Sequence, residues 1–575
     1  MPYFLKQSNT RSKGLYLQIY QSFYIPGKGS RNKSYKAIGY VSDLIEKGID
    51  DPISYAKKIV DKLNDNPSSN SSIKISSSSS SKNVGYFLVK AMFDKLDMNN
   101  DISLMSSNKK FQFNLYDFIY SMVYSQIVNP GSKQSAFENV MPNIYGIKTF
   151  SYDQILETIN YIGSDYPKFI ELINAHINSI WPRKTDTAYF DCTNYYFEID
   201  SQDNIRKKGP SKENRKDPII GQALLLDNEQ IPLAMNLYPG NESEKPYLRK
   251  NIEDLKSRYD INSKIVQVAD KGLNCARNIY SAVIEANDGY IFSKSVHGKY
   301  LSKVEKQWIL LRDNENNKWT HVKDTVGNII YSYKECIDDF KYHCKINESD
   351  TEETFFTVKE KRVVTYNPKL ARKKQKEIQK EIEKIKKLSA KQALKEEYGD
   401  SAKYVEFIAV DSNGEKVKIY SSLKESKINE DLALAGYNLL VTSEIDKSST
   451  DIYNAYHGLW RIEESFRILK TYLESRPVFL QLKESIYGHF LICYFALTVL
   501  RLIEIKVFND EIPPSKLIDF IRGFNVTQTP ENSFISNATN SETLSKIKDK
   551  LYLSKLDNLY LKKKDIDNFI NASFD

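Results

Sequence analysis

The sequence predicts an α/β protein: a mixed sheet with flanking helices, interrupted by a mostly β insertion and preceded by a β-hairpin and helical regions. Three observations carry this. Short apolar runs alternate with amphipathic helical stretches over residues 183–295. Strand-like pieces crowd 296–436, and helical periodicity dominates 84–182. At 575 residues the chain exceeds one ordinary core, so two to four domains are expected.

Residues 1–66 contain LYLQIYQSFYI and KSYKAIGYV around the turn-forming PGKGSRNK, which reads as a β-hairpin, followed by the helical SYAKKIVDKLN. Residues 67–83 include six consecutive serines, Ser76–Ser81, and read as a linker or exposed loop. From 84 to 182 the pattern is helical. Such a region serves either as a DNA-binding domain or as a scaffold, and its residues do not choose between them.

Over 183–295, TAYFDCTNYYFEI, GQALLLD and IPLAMNLYP read as strands, the last two joined by a tight turn. A helix, the strand KIVQVAD, a second helix and the strand GYIFSK follow. Three antiparallel strands, then helix, strand, helix, strand, is the element order of an RNase H-like domain. Within 296–436, WILL, NIIYSY, TFFTVKEKRVVTY, YVEFIAV and KVKIYSS are strand-like and surround a lysine-rich helix at 369–395. Its lysines alternate with glutamates and its apolar stripe is narrow, which favours a solvated arm. YNLLVTS resumes the core over 437–508, and 509–575 reads as a polar tail.

Composition narrows the function classes. A net charge of +8 is compatible with a nucleic-acid partner without requiring one. The five cysteines form no C-x-x-C pair and the six histidines no H-x-x-x-H spacing, which argues against a disulfide framework or zinc site and for a reducing cytoplasm. Any metal would then be held by carboxylates. The longest apolar run, Phe490–Leu500, is too short to span a bilayer, and MPYFLKQSNTRSKG has no leader-like apolar core, so a soluble protein without a membrane partner is expected.

Two carboxylates occupy telling positions. Asp191 lies in the first core strand beside Phe190 and Cys192, where a carboxylate needs a cation, hydrogen bonds or a metal. Asp270 ends a strand at the edge of the crevice where α/β sheets collect ligands. Either alone reads equally well as a capping aspartate; on adjacent strands the pair favours a metal.

A third comes from YHGLWRIEESFRILK, Tyr456–Lys470. Leu459, Ile462, Phe466, Leu469 and Leu473 form one stripe at 3-4 spacing. At about 100° per residue, Glu464 points away from that stripe into solvent and Glu463 flanks it. Tyr456, Glu463, Arg467 and Lys470 then share one helix edge, an arrangement that also suits a simple salt-bridge ladder.

The spacing Y-x6-E-x6-K resembles the C-terminal signature Y-x2-R-x3-E-x6-K of DDE-type insertion-sequence transposases of bacteria. Tyr456, Glu463 and Lys470 match it, and Leu459 stands where the signature has arginine. TAYFDCTNYYFE resembles the block bearing the family's first aspartate, Asp191, and VADKGLNCARNI the block bearing its second, Asp270. The resemblance implies a DNA transposase with Asp191, Asp270 and Glu463 as catalytic residues and ligands of two Mg²⁺ or Mn²⁺ ions. It also implies Tyr456, Lys470 and Arg467 at the DNA end, double-stranded DNA at element ends and target, no small-molecule substrate, and a homodimer on DNA. A nuclease or resolvase that cuts without joining, and an inactive DNA-binding descendant, are the alternatives.

One basic segment stands out. RKKGPSKENRK, 206–216, holds six cations and one acid. Its position between the first two core strands favours DNA contact through Arg206, Lys207, Lys208, Lys212 and Arg215 over a merely solvated loop.

Overall fold

The alternating stretches at the N-terminus form three strands where the sequence suggested two. In the computed structural model β1 (Tyr3–Thr10), β2 (Gly14–Ile25) and β3 (Gly29–Tyr40) make an antiparallel meander. The model describes every residue except 1–2, 11–12, 26–28, 66–79, 108, 110, 214, 260, 298–300, 312–317, 391–394, 413–414, 530–532 and 575. Helices Val41–Glu46 and Pro52–Asp65 cover one face of the meander, burying Leu17, Leu44 and Ala56 with Leu5, Leu15 and Ile38 packed around them. Asn64, at the end of the second helix, exchanges hydrogen bonds of 2.9 and 3.0 Å with the backbone of Tyr3. This unit spans Met1–Ser79, and the rest of the chain forms the other.

Most of the serine-rich stretch lies outside the described residues. Its end does not: Ser81–Asn83 is a strand, β4, in the second unit.

The second unit is organised by a nine-stranded mixed sheet. Its strands are β5 (Thr187–Tyr196), β6 (Ile219–Leu226), β7 (Pro232–Pro239), β8 (Val266–Ala269), β9 (Gly289–Lys294), β10 (Thr320–Lys323), β11 (Ile329–Cys344), β12 (Thr354–Tyr366) and β15 (Tyr437–Thr442), between which β13 (Val405–Ser412) and β14 (Glu415–Leu423) form a separate hairpin. The order is β10-β11-β12-β15-β9-β8-β5-β6-β7. β5, β6 and β7 are antiparallel, β8 and β9 run parallel to β5, and β15, β12, β11 and β10 continue antiparallel from β9. β6 is buried at every position, as its uninterrupted apolar run requires.

Three features of the region 296–436 differ from expectation. β10, β11 and β12 extend the central sheet beyond β15. The first three residues of WILL are helical, within Lys303–Leu310, because Ser302 and Glu305 close a capping box that starts a helix there. The lysine-rich helix, Pro368–Ala390, is not a solvated arm: Ile378 and Ile385 are each 1% exposed and pack with Tyr398 and Tyr404.

Helices Phe87–Leu96, Leu115–Val128, Tyr152–Ser164 and Tyr166–Ile180 gather around Lys483–Leu502, which contains the apolar run Phe490–Leu500 and is almost entirely buried. No helix among the described residues is long and apolar enough to cross a membrane. Gly163 and Gly488 let two of these helices touch backbone to backbone. A Cβ on Gly163 would stand 1.7 Å from the Glu484 carbonyl oxygen, and one on Gly488 2.0 Å from that of Ile159.

The described residues of 509–575 are folded, contrary to the reading as a tail. β16 (Asn525–Gln528), β17 (Ser533–Ser536) and β18 (Tyr560–Lys562) join β4 in a sheet ordered β18-β17-β16-β4. Phe520, Phe524 and Phe569 pack around Phe87 of the helical region. The polar composition hides helices that are apolar on one side only.

Candidate active site

Parallel pairing of β5 with β8 matches Phe190 with Ala269. The next residues of the two strands are Asp191 and Asp270, so the register brings the predicted acids side by side at one end of the sheet. Asp191 accepts a 2.7 Å hydrogen bond from the Cys192 amide. Burial raises its carboxyl from 3.8 to about 6; Lys212 and the Cys192 amide work against the rise, and Glu244 and Asp270 add to it. That acid holds its negative charge against its surroundings.

The third acid arrives on a broken helix. Helix Ser449–His457 stops at Gly458 and helix Trp460–Arg467 begins two residues later. Glycine is required at the junction, since a Cβ would stand 2.6 Å from the Tyr189 ring of β5. Tyr456 donates a 2.8 Å hydrogen bond from its hydroxyl to Asp270 Oδ1. Its pKa is pushed up by burial, then by the charge of Asp270, with Glu463 contributing as well. Tyr456 therefore bonds the second predicted acid from the helix just before the one that carries Glu463.

The predicted apolar stripe is buried from Leu459 to Leu473. Glu464 is not turned to solvent as expected. Glu463 is exposed, whereas the Glu464 side chain is only 12% exposed and is held by Arg501 at 2.9 Å and by Arg461 and Arg467 at 3.2 Å each. The helix has a second covered face, where Arg461 and Ser465 meet Arg501 and Glu504 of the buried helix region. Exposure leaves Glu463 open to a ligand from solution. Leu459, in the signature's arginine position, is 7% exposed in the apolar core, and Arg461 is committed to Glu504 and Asp510 at 2.7 Å each.

The basic segment divides. Arg206 is buried, with its guanidinium on Asp203 at 2.6 Å and on Gln481, so it fixes the loop and is not free to bind DNA. Lys207 pairs its backbone with Ile219, extending the β6 edge, and Lys208 is exposed. Lys212 turns into the site: its Nζ lies 3.9 Å from Asp191 and 3.5 Å from Glu244, and it bonds the Cys192 carbonyl. Burial opposes the charge on Lys212, but Asp191 and Glu244 outweigh it and raise its pKa. Arg215 lies over the Tyr196 ring at 3.7 Å.

Lys470 reaches the same region from the helix side. It falls in a π turn, Ile468–Tyr472, which rotates it out of the simple α-helical phase. Its Nζ lies 5.2 Å from the centre of the Tyr195 ring and 3.6 Å from Glu213, and burial lowers its pKa. Arg467, 62% exposed, pairs with Glu464. Two residues that sequence reasoning missed complete the rim. Arg476 pairs with Glu213 and stands 4.9 Å from the Tyr196 ring, and Glu244 adds a further carboxylate beside Lys212. Both lie outside the strands and the helix that carried recognisable spacing.

Chemically, the site joins an acidic pair to a cationic rim. The oxygen-only donors suit a hard divalent cation, while burial, more than its acidic neighbours, raises the Asp191 carboxyl. Among the described residues, no group of three or more His, Cys, Asp or Glu side chains is gathered closely enough to hold one ion. All five cysteines are free thiols.

No family model and no curated protein matches the sequence. Among solved structures, a piggyBac transposase synaptic complex with hairpin DNA aligns over 85% of this chain and 84% of its own, at 10% identity and a TM-score of 0.36. A likeness that weak carries no argument about fold or function.

Proposed function

We propose that the chain is a DNA transposase of the DDE type, built on an RNase H-like core of β5 to β9, that nicks the ends of its element and joins the freed 3′-hydroxyl to target DNA. The observation that supports this most is the β5–β8 register, which sets Asp191 beside Asp270, with Tyr456 bonded to the latter.

Asp191, Asp270 and Glu463 would hold two Mg²⁺ or Mn²⁺ ions. Such ions supply a strong oxygen nucleophile at neutral pH and charge to steady the departing 3′-oxygen. The chain's own residues do the rest. Tyr456 fixes the Asp270 carboxylate through its hydroxyl. Lys212 and Lys470, backed by Arg215 and Arg476, offer charge to backbone phosphates, which positions a duplex without reading its sequence. Lys207 and Lys208 extend the rim, and Arg467 offers an exposed cation one turn beyond Glu463. Double-stranded DNA is the substrate, a homodimer on DNA the working form, and the cytoplasm, in association with chromosomal DNA, its place.

The test incubates the protein and Mg²⁺ with labelled DNA from either flank of its gene. Nicking followed by joined product is the expected result. Nicking without joining assigns a nuclease, and binding without nicking an inactive descendant. Asp191→Ala or Glu463→Gln with undiminished cleavage overturns the site.

A further inference from the structure

We propose that a cavity in the helical part of the second unit binds a phosphorylated small molecule with a planar ring, the chemistry of a nucleotide. The turn at 131–135, after helix Leu115–Val128, forms one wall of a cavity of about 480 Å³, and Tyr152, the segment 477–480 and His489 form the rest. Charge is the first ground. No aspartate or glutamate lines this cavity, and Lys133, which does, is 5% exposed with no carboxylate paired to it among the described residues. Its partner is the Gln126 amide oxygen at 3.1 Å, and the amide nitrogen of the same side chain is spent on the Leu473 carbonyl at 2.7 Å. An ammonium has three N–H donors, so two are left over. Burial lowers the Lys133 pKa to about 8, so the group is still charged at pH 7. His489, which bonds the Ser475 carbonyl at 3.1 Å, is pushed down to about 3, by burial first and then by the charge on Lys133, and is neutral. A buried cation without a counter-ion is costly, and an anion entering the cavity removes that cost.

Size and lining are the second. The volume lies within the range of about 300–1,000 Å³ of small-molecule sites and exceeds what a bare phosphate needs. The Ser132 and Ser135 hydroxyls add donors to the lining. Tyr152 and Phe479, the latter 65% exposed, supply aromatic faces for a flat ring. A phosphate on Lys133 with a ring against Phe479 is the arrangement a nucleotide would take. None of Asp191, Asp270 and Glu463 lines the cavity, so the site is distinct from the acidic one.

The site does not depend on the reading of the chain as a transposase, and its test uses neither DNA nor divalent metal. Adenosine, guanosine, cytidine and uridine 5′-monophosphates are titrated by calorimetry into the full chain in EDTA, with adenosine and inorganic phosphate for comparison. At least one monophosphate should bind with a Kd below about 1 mM, and both comparison ligands about tenfold or more weakly. Lys133→Gln should weaken that affinity about tenfold or more, the worth of a hydrogen bond to a charged group. Lys168→Gln, at an exposed lysine of the same helical region, should leave it unchanged. The monophosphate should raise the melting temperature of the parent and not that of Lys133→Gln. Lysine acylation of the parent, read by mass spectrometry, needs no variant: the monophosphate must protect Lys133 and leave Lys168 as reactive as before. No binding by any monophosphate, no protection of Lys133, affinity indifferent to Lys133→Gln, or an equal loss with Lys168→Gln overturns the proposal. So does inorganic phosphate binding as tightly as the nucleotide, since the ring then contributes nothing. Failure of the parent to nick DNA leaves this result untouched, and failure of nucleotide binding leaves the acidic site untouched.

Discussion

Tyr456 and Asp270 are 186 residues apart in sequence and 2.8 Å apart in space, the phenol donating to the carboxylate that ends β8. The bond joins the helix just before the one that carries Glu463 to the acid that follows β8. Tyr456→Phe removes the donor and keeps the ring. Loss of one such hydrogen bond to a charged group is worth about 1.5–3 kcal/mol, or roughly tenfold or more in rate if it acts on the transition state. Single-turnover nicking should fall by that factor with little change in thermal stability. Unchanged nicking assigns the tyrosine a packing role only.

The two adjacent glutamates should separate cleanly. Glu463→Gln is expected to abolish cleavage and leave the urea midpoint unchanged, because the side chain is exposed. Glu464→Gln removes a carboxylate from Arg501, which is wholly buried. Glu504 still pairs with Arg501 at 2.7 Å, so the cost should be about 2–3 kcal/mol, short of the full penalty for stranding a buried charge. Urea denaturation of both variants measures this directly.

Asp191 gives the fold a pH dependence of unusual sign for a carboxylate. Burial raises its folded value from 3.8 to about 6. Between those values the folded state binds more protons than the unfolded one, so stability falls as pH rises through the window. The rise corresponds to about 3 kcal/mol at most. Without divalent ions, Asp191→Asn should therefore be more stable than the parent at pH 7, by about 1–3 kcal/mol, and the gain should vanish below the unfolded value. Mg²⁺ should raise the melting temperature of the parent and not of the variant.

Arg206 and Lys208 stand two residues apart and should behave as opposites. Arg206→Ala strips a buried guanidinium from Asp203 and Gln481 and should cost about 1–3 kcal/mol of stability. Its effect on the salt dependence of DNA binding should be negligible. Lys208→Ala should leave stability alone and lower the salt slope by about one. Paired melting and anisotropy titrations check both.

What could be read from the sequence was what depends on short-range pattern. The apolar runs around Asp191 and Asp270 marked two strands whose pairing follows from their order, and the 3-4 stripe identified one buried face of the last helix. What could not be read depended on partners far along the chain. Periodicity reports how many residues are apolar, and so it missed a second covered face held by Arg461, Ser465 and a glutamate, whose counter-ion Arg501 lies 37 residues on. Lys470 was misplaced in angle by a π turn that spacing does not announce. The folded C-terminal region escaped notice because its phenylalanines are spread among polar residues and meet only around Phe87.

The β5–β8 register has a bearing on how this gene can vary. Successive residues of a strand point to opposite faces, so a single added codon within Val266–Ala269 would swing Asp270 to the far side of the sheet while leaving the composition and the apolar run intact. The same codon added in the hairpin tip between β11 and β12, at 345–353, would displace nothing in the pairing ladder. Inserted residues should thus be tolerated along the outer connections and lethal to activity in four positions of one short strand, a map that a library of in-frame insertions would draw without prior choice of residue.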